Sequence, residues 1–104
     1  MKIISSQRHI DYRIVDEKVK QLSGETKVFL PVVFVGEYEG EKLYALIDNH
    51  HTGAATKELG IEIEYSIEDA GKLGYDTDWT LDEMLENMYI DSDWYDYETE
   101  KDIF

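Results

Sequence analysis

The sequence has no cysteine, a single proline and few basic residues, and these shortages exclude several kinds of protein. Without cysteine, the chain forms neither disulfides nor thiolate metal sites. No apolar run approaches the roughly 18 residues that a membrane-spanning helix needs. The first 13 residues, MKIISSQRHIDYR, lack the continuous apolar core of a signal peptide. We therefore expect a cytoplasmic protein that does not enter membranes.

Basic residues are scarce mainly in the second half of the chain. The sequence holds 10 Lys+Arg against 24 Asp+Glu, a net charge of −14 at pH 7. Residues 1–60 contain 8 basic and 9 acidic residues, whereas residues 61–104 contain 2 and 15. Such an acidic block repels phosphates, so direct binding of DNA or RNA is disfavoured. The block is compatible with three roles: solubility, docking of a basic partner, or mimicry of a nucleic-acid backbone.

The length of 104 residues leaves room for one small domain. Three segments have the composition or alternation of strands: 27–35, 42–48 and 61–67. The first two are joined by a turn at 36–42 and form a predicted β-hairpin, and residues 1–5 are a shorter strand candidate. Three segments show helical spacing: 15–22, 52–59 and 81–88. The pattern predicts an α+β fold in which three helices cover a small mixed β-sheet.

Several boundaries of these elements can be predicted from single residues. Asp16 is the expected N-cap of the first helix. Pro31 cannot donate to a strand ladder, which suggests that its strand begins nearby. Thr80 and Glu83 form a capping box that marks the start of the last helix.

The segment 43–60 is the strongest candidate for a chemical site, because a strand there leads through a short loop into a helix. Asp48, His50 and His51 lie at the mouth of this loop and are the candidate catalytic residues. Unpaired N–H groups and the helix dipole at such a helix start favour a phosphate or carboxylate. A histidine there can donate to an anion, act as an acid or base, or bind a metal. Adjacent histidines diverge, so we predict no shared metal site, and Asp48 has the alternative role of capping the helix.

The same segment resembles the ParB/sulfiredoxin-like family, also called ParB-like nuclease domains. In that family a strand of the type V-I-D-G-H-H-R leads into a helix of the type x-x-A-A-x-x-L-G. Here the matching run is Ile47, Asp48, Asn49, His50, His51, Thr52, then Ala54, Ala55, Leu59 and Gly60. The resemblance covers about residues 14–67 and implies the family's fold. It also implies a nucleotide ligand such as a nucleoside triphosphate with Mg²⁺, held by the candidate catalytic residues and by Asn49, Thr52, Gly53 and Ala54.

Two departures from the family pattern bear on activity. Asn49 occupies the position of the family's glycine, and Thr52 occupies the position of its arginine. An arginine can hold a phosphate through two charged hydrogen bonds, and its loss costs on the order of 1.5–3 kcal/mol. We therefore expect a nucleotide- or phosphate-binding domain in which catalysis is weak or lost.

Residues 68–104 form an acidic extension of this core and suggest an alternative function. Aromatic rings alternate with carboxylates there, and the candidate partner-binding residues are Asp91, Asp93, Trp94, Tyr95, Asp96 and Tyr97. Aromatics supply binding energy and charges steer encounter with a basic site. The alternative is a non-enzymatic inhibitor, immunity-type protein or nucleic-acid mimic of a phage or plasmid, acting on a basic or nucleic-acid-binding host protein. A soluble accessory domain without a partner is a third possibility, and the sequence does not specify an oligomeric state.

Overall fold

The computed structural model describes residues 1–47 and 50–103. Asp48 and Asn49, two of the predicted site residues, lie outside the described residues, as does Phe104. Five strands are present in this part of the chain: β1 (Lys2–Ser5), β2 (Lys27–Tyr38), β3 (Glu41–Leu46), β4 (Glu62–Glu68) and β5 (Tyr95–Asp96). Three α-helices accompany them, together with a short 3-10 turn at Gly71–Leu73: α1 (Tyr12–Leu22), α2 (His50–Leu59) and α3 (Leu81–Met88).

The strands form one mixed sheet in the order β4-β2-β3-β1-β5. Strand β3 is antiparallel to β2 and parallel to β1, while β4 is parallel to β2 and β5 is antiparallel to β1. The predicted α+β class, with a mixed sheet and three helices, is therefore confirmed. The predicted N-terminal strand is β1, and the structure adds β5 from the acidic extension.

Each face of the sheet carries a cluster of buried apolar residues, because neighbouring strand residues point to opposite sides. Ile3, Leu30 and Val32 are buried on the face that carries α2, together with Tyr95 and Tyr97. The opposite face packs against α3, and its buried residues are Ile4, Val33, Val35, Leu43, Ala45, Met84, Leu85, Met88 and Trp94. Helix α1 packs against α2. The acidic extension therefore supplies core residues to both faces.

Strands β2 and β3 form the predicted hairpin, but with a shorter turn than the sequence suggests. The strand continues to Tyr38, and only Glu39 and Gly40, both with positive φ, make the turn. Gly36, expected in the turn, lies at a bulge in β2 with φ +148°, where the Cβ of Leu81 is so close that a side chain at Gly36 would meet it at 3.1 Å. The glycine thereby allows the start of α3 to approach the sheet.

Pro31 lies within β2, so the prediction that the strand begins near it is wrong. The carbonyl of Pro31 accepts a hydrogen bond from the N–H of Ile47 at 3.3 Å, so the nitrogen of Pro31 faces the same side. Since β3 ends at Leu46, the missing N–H of Pro31 lies beyond the paired part of that strand. The missing N–H of Pro31 therefore removes little hydrogen bonding from the sheet.

The start of α1 also differs from the prediction. The helix begins at Tyr12 and is capped by Asp11, whose carboxylate accepts the N–H of Arg13 at 3.0 Å, whereas Asp16 lies inside the helix. The capping box of Thr80 and Glu83 at the start of α3 is present as predicted. Among residues 1–47 and 50–103, no helix combines the length and apolar character needed to cross a membrane.

Candidate functional site

The two predicted catalytic histidines are the first residues of α2. Helix α2 approaches the sheet closely because small side chains face it: Gly53 and Ala55 are buried there, as is Thr56. The hydroxyl of Thr56 donates to the carbonyl of Thr52 at 2.7 Å, which satisfies it within the helix. This close packing determines which face of the helix start is covered and which is open.

His51 joins α2 to the start of α1. Its Nε2 accepts a hydrogen bond from the backbone N–H of Asp11 at 3.1 Å. In this bond Nε2 is the acceptor and therefore carries no proton, which leaves Nδ1 as the donor nitrogen of the ring. The side chain of Arg13 holds the pKa of Asp11 below its usual value, and His51 adds a smaller lowering effect. His51 thus has a structural bond that fixes the position of the α1 cap.

His50 is buried in a different way. Only 8% of the residue is exposed, and neither ring nitrogen has a hydrogen-bond partner among the described residues. Its ring lies edge-on to the ring of His51, with centroids 5.8 Å apart. Burial lowers the pKa of His50, and the nearby His51 lowers it further, although Asp91 opposes both effects. A buried polar group without a partner is uncommon and costs about 1–3 kcal/mol, so His50 is a candidate functional residue.

A cleft of about 280 Å³ lies beside His50, on the α2 face of the sheet. It is bordered by the β1–α1 connection, by α2 and by the acidic extension. The residues that define its chemistry are Arg8, His50, Ala54, Lys57, Tyr95 and Tyr97, with Glu100 at the margin. Two of the chain's 10 basic residues therefore meet here in a protein of net charge −14.

Both cations of the cleft are held against tyrosine rings. The guanidinium of Arg8 lies 4.0 Å from the centroid of Tyr95 and donates to Asp102 Oδ1 at 2.8 Å. The Lys57 Nζ lies 3.7 Å from the centroid of Tyr97 and donates to the carbonyl of Tyr97 at 2.7 Å. Cation–π contacts of this kind orient a charged group without neutralising it. Arg8 and Lys57 therefore keep donors that an incoming anion can use.

Lys57 has no ion pair with a carboxylate within 4.0 Å in the described part of the chain. Partial burial lowers its pKa, while Glu100, Glu98 and Asp96 raise it at longer range. The Arg8–Asp102 pair is solvent-exposed, with 43% and 69% of the two side chains accessible. Exposed pairs contribute only about 0–1 kcal/mol, so Arg8 can exchange Asp102 for another anion at little cost.

The predicted phosphate-binding residues are not all at this cleft. Ala54 lines it, while Thr52 accepts the hydroxyl of Thr56 and Gly53 is buried. The hydroxyl of Tyr97 lies so close to the Cα of Gly53 that a Cβ there would collide with it. Tyr97, from the acidic extension, therefore covers the side of α2 on which Gly53 lies.

The predicted partner-binding residues have mixed positions. The rings of Trp94, Tyr95 and Tyr97 are buried, with 8%, 5% and 2% of each residue exposed. The carboxylate of Asp91 accepts the backbone N–H of Arg8 at 2.7 Å and of His9 at 3.3 Å. 

The remaining two carboxylates of that set differ from each other. Asp96 accepts the N–H groups of Glu98 and Thr99 at 2.9 and 3.2 Å and so shapes the turn after β5. Asp93 is exposed, and its carboxylate makes no hydrogen bond with the described residues. Much of this stretch therefore serves to attach the acidic extension to the rest of the fold.

Arg8 and Lys57 were not among the residues predicted from the sequence for this site. A signal for Lys57 exists, because His50, Ala54 and Lys57 follow one another at i, i+4 and i+7 and so share a helix face. Arg8 has no such local signal, since only the pairing of β1 with β5 brings it over Tyr95.

Comparison of the chain with models of protein families, with curated proteins and with solved structures gives no match. Its function is therefore inferred from its own residues and their chemistry.

Proposed function

We propose that this protein is a phosphate-binding domain that takes a nucleotide or a similar small phosphorylated ligand, with weak or lost catalysis. The single observation that carries the proposal is the convergence of Arg8 and Lys57 on a cleft whose wall contains His50, a ring without a hydrogen-bond partner in the described part of the chain. Both cations are oriented by aromatic rings and keep free donors. A phosphate offers the acceptor oxygens that such donors bind best.

Arg8 supplies the positive charge that the start of α2 lacks. The resemblance to ParB-like domains implies an arginine at the position of Thr52, and its absence argues against phosphate binding. A guanidinium contributed by the β1–α1 connection replaces that charge from a different part of the chain. The site proposed here is thus a variation on the family's loop, displaced toward Ala54 and Lys57.

The cleft suits one phosphate group better than a triphosphate with Mg²⁺. Its volume of about 280 Å³ lies just below the roughly 300–1,000 Å³ of typical small-molecule pockets. The net charge of −14 opposes a polyanion. In the described residues, no cluster of three or more histidine and carboxylate side chains has the arrangement of a metal site. A nucleoside monophosphate, or the terminal phosphate of another small ligand, is the ligand class that these features favour.

Weak catalysis follows from the state of the two histidines. A general base must be within hydrogen-bond distance of the proton that it removes. His51 uses its Nε2 to accept the N–H of Asp11, and the ring nitrogens of His50 are covered. The arrangement therefore favours binding over turnover.

Isothermal titration calorimetry with CMP, CTP, AMP, ATP and inorganic phosphate, with and without Mg²⁺, tests the proposal. We expect a monophosphate to bind at least as tightly as the matching triphosphate. Arg8→Gln and Lys57→Gln should each weaken binding by about 10- to 100-fold, the value of one charge-assisted hydrogen bond.

Matched controls remove a charge of the same sign from the surface of α1. Arg13→Gln and Lys20→Gln should leave the affinity within about threefold, because neither residue borders the cleft. Absence of binding at millimolar concentrations of every ligand would refute the proposal. Equal losses in the cleft variants and their controls would show that binding is general electrostatic attraction.

A further inference from the structure

A second depression lies on the opposite face of the sheet, where α3 begins. It has a volume of about 560 Å³, twice that of the cleft beside His50. Strand β2, the start of α3 and the connection between β4 and α3 enclose it. Five of its apolar residues belong to the core cluster of this face or pack against it: Val35, Ala70, Trp79, Leu81 and Met84. A sixth, Phe34, is exposed. We call this depression the α3 groove.

Four carboxylates line the α3 groove: Glu37, Glu68, Asp69 and Asp76. No lysine or arginine lines it, and none of the four has an ion pair within 4.0 Å in the described part of the chain. The α3 groove therefore has an apolar base and a margin whose charged side chains are all carboxylates.

The hydrogen bonds of these carboxylates do not neutralise them. Asp69 accepts the N–H of Gly71 at 2.9 Å, and Asp76 accepts the N–H of Asp78 at 2.9 Å. The hydroxyl of Ser66 donates to Glu68 at 3.0 Å. Each of these contacts occupies a single oxygen and leaves the carboxylate its full charge. 

Two basic residues belong to the elements beside the groove: Lys42, which is paired across the hairpin with Glu37, and Lys72 of the 3-10 turn. Neither forms an ion pair with the margin of the groove. Like charges gathered at one margin repel one another, and a cationic ligand would relieve that repulsion.

We propose that the α3 groove binds a basic, partly apolar segment of a partner protein. An arginine or lysine side chain can place its aliphatic part on Phe34 and Leu81, which are at least partly exposed, and its charge among the carboxylates. Trp79 adds an aromatic face of the kind that cations favour. This binding is independent of the phosphate site, which lies on the other face of the sheet.

Charge decides between this partner and two other occupants. Nucleic acid carries phosphates that the four carboxylates repel. A second copy of the chain brings 24 acidic and only 10 basic residues, so two copies repel each other. A basic polypeptide that also carries apolar side chains complements both the apolar residues and the carboxylates of the α3 groove.

The test measures binding of an acetylated octapeptide of alternating arginine and leucine to the full chain by intrinsic fluorescence. Trp79 lies in the groove, whereas Trp94 is buried in the core with 8% of its surface exposed. We expect a salt-sensitive change in emission that persists in Trp94→Phe and disappears in Trp79→Phe. Calorimetry with the same peptide measures binding to Trp79→Phe directly, which separates loss of the fluorescence signal from loss of the fold.

Glu37→Gln combined with Asp76→Asn removes two charges from the groove and keeps the acceptor oxygen that Asp76 offers to Asp78. This pair should weaken peptide binding about tenfold. Glu17→Gln combined with Glu25→Gln makes the same change in net charge at exposed positions on α1 and after it. The control pair should change the affinity by less than about threefold.

Four results would overturn the proposal. The first two are failure of the peptide to bind at low salt, and equal weakening of its binding by the groove pair and the control pair. Concentration-dependent dimerisation in sedimentation, abolished by the groove pair, would instead assign the groove to a second copy. An octapeptide of alternating glutamate and leucine is the negative control. If it binds as tightly as the arginine–leucine peptide, the groove does not select for positive charge.

Discussion

Gly53 is the position where a single methyl group best tests how α2 and the acidic extension fit together. The hydroxyl of Tyr97 lies against the Cα of Gly53, and a Cβ at this position would also lie 3.5 Å from Leu30 Cδ1. Gly53 is inside α2 and has no positive φ, so alanine suits its backbone. Steric contact alone therefore opposes the substitution Gly53→Ala.

The expected magnitude follows from two opposing effects. In an open helix position, glycine to alanine stabilises by about 1 kcal/mol. Overpacking a close-packed contact costs about 1–3 kcal/mol, and we take the upper end because Tyr97 is held firmly. Its N–H donates to the carbonyl of Ile3 at 2.8 Å, and its ring is 2% exposed. Gly53→Ala should thus lower the free energy of unfolding by about 2 kcal/mol, or the melting temperature by about 8–16 °C.

Urea denaturation followed by far-ultraviolet circular dichroism measures this change. Tyr97→Phe removes the colliding hydroxyl, so the double variant should recover about 1 kcal/mol relative to the sum of the single changes. Gly71→Ala is the control, because a Cβ there would meet the exposed side chain of Asp69 at 3.3 Å, a milder contact that should have a smaller effect. If Gly53→Ala stabilises the protein, or if the two changes are additive, Tyr97 does not pack against α2 as described.

Two further predictions concern Asp91 and His50. Asp91→Ala removes the acceptor for two backbone N–H groups and should destabilise the fold by about 1–2 kcal/mol in urea titrations, whereas Asp93→Ala should change it by less than about 0.5 kcal/mol. Equal effects would show that the bonds of Asp91 do not contribute. Because burial lowers the pKa of His50, the unfolded chain binds a proton near pH 6.5 that the folded chain does not. Stability should therefore decrease as the pH falls from about 7.5 to about 5.5, and less steeply in His50→Gln; parallel pH profiles of the two proteins would contradict this.

Local patterns in the sequence were sufficient for several elements. The apolar stripe and capping box of residues 80–88 predict α3, and the structure has it at Leu81–Met88. Alternation predicts β4, and the apolar runs predict the β2–β3 hairpin. These elements form from interactions between residues a few positions apart, which is why their composition identifies them. The class of fold follows from them and was predicted correctly.

The errors arose where a distant residue decides the local structure. Pro31 continues a strand because its neighbour β3 has already ended, and Gly36 belongs to a bulge because α3 packs against it. The stretch 91–97, which contains the predicted partner-binding residues, places three aromatic rings in the two cores and a strand beside β1. No property of that stretch alone distinguishes a buried aromatic from an exposed one.

The composition established an acidic, cysteine-free domain of α+β class and directed attention to the helix that starts at His50. The positions of the two cations beside the cleft, in contrast, are decided only by the tertiary structure. Pairing of β1 with β5 places Arg8 over Tyr95, and packing of α2 on the extension places Lys57 over Tyr97. Residues about 40 and 90 positions apart in the sequence meet there, since contacts across a sheet are non-local and leave no periodic signal in the chain.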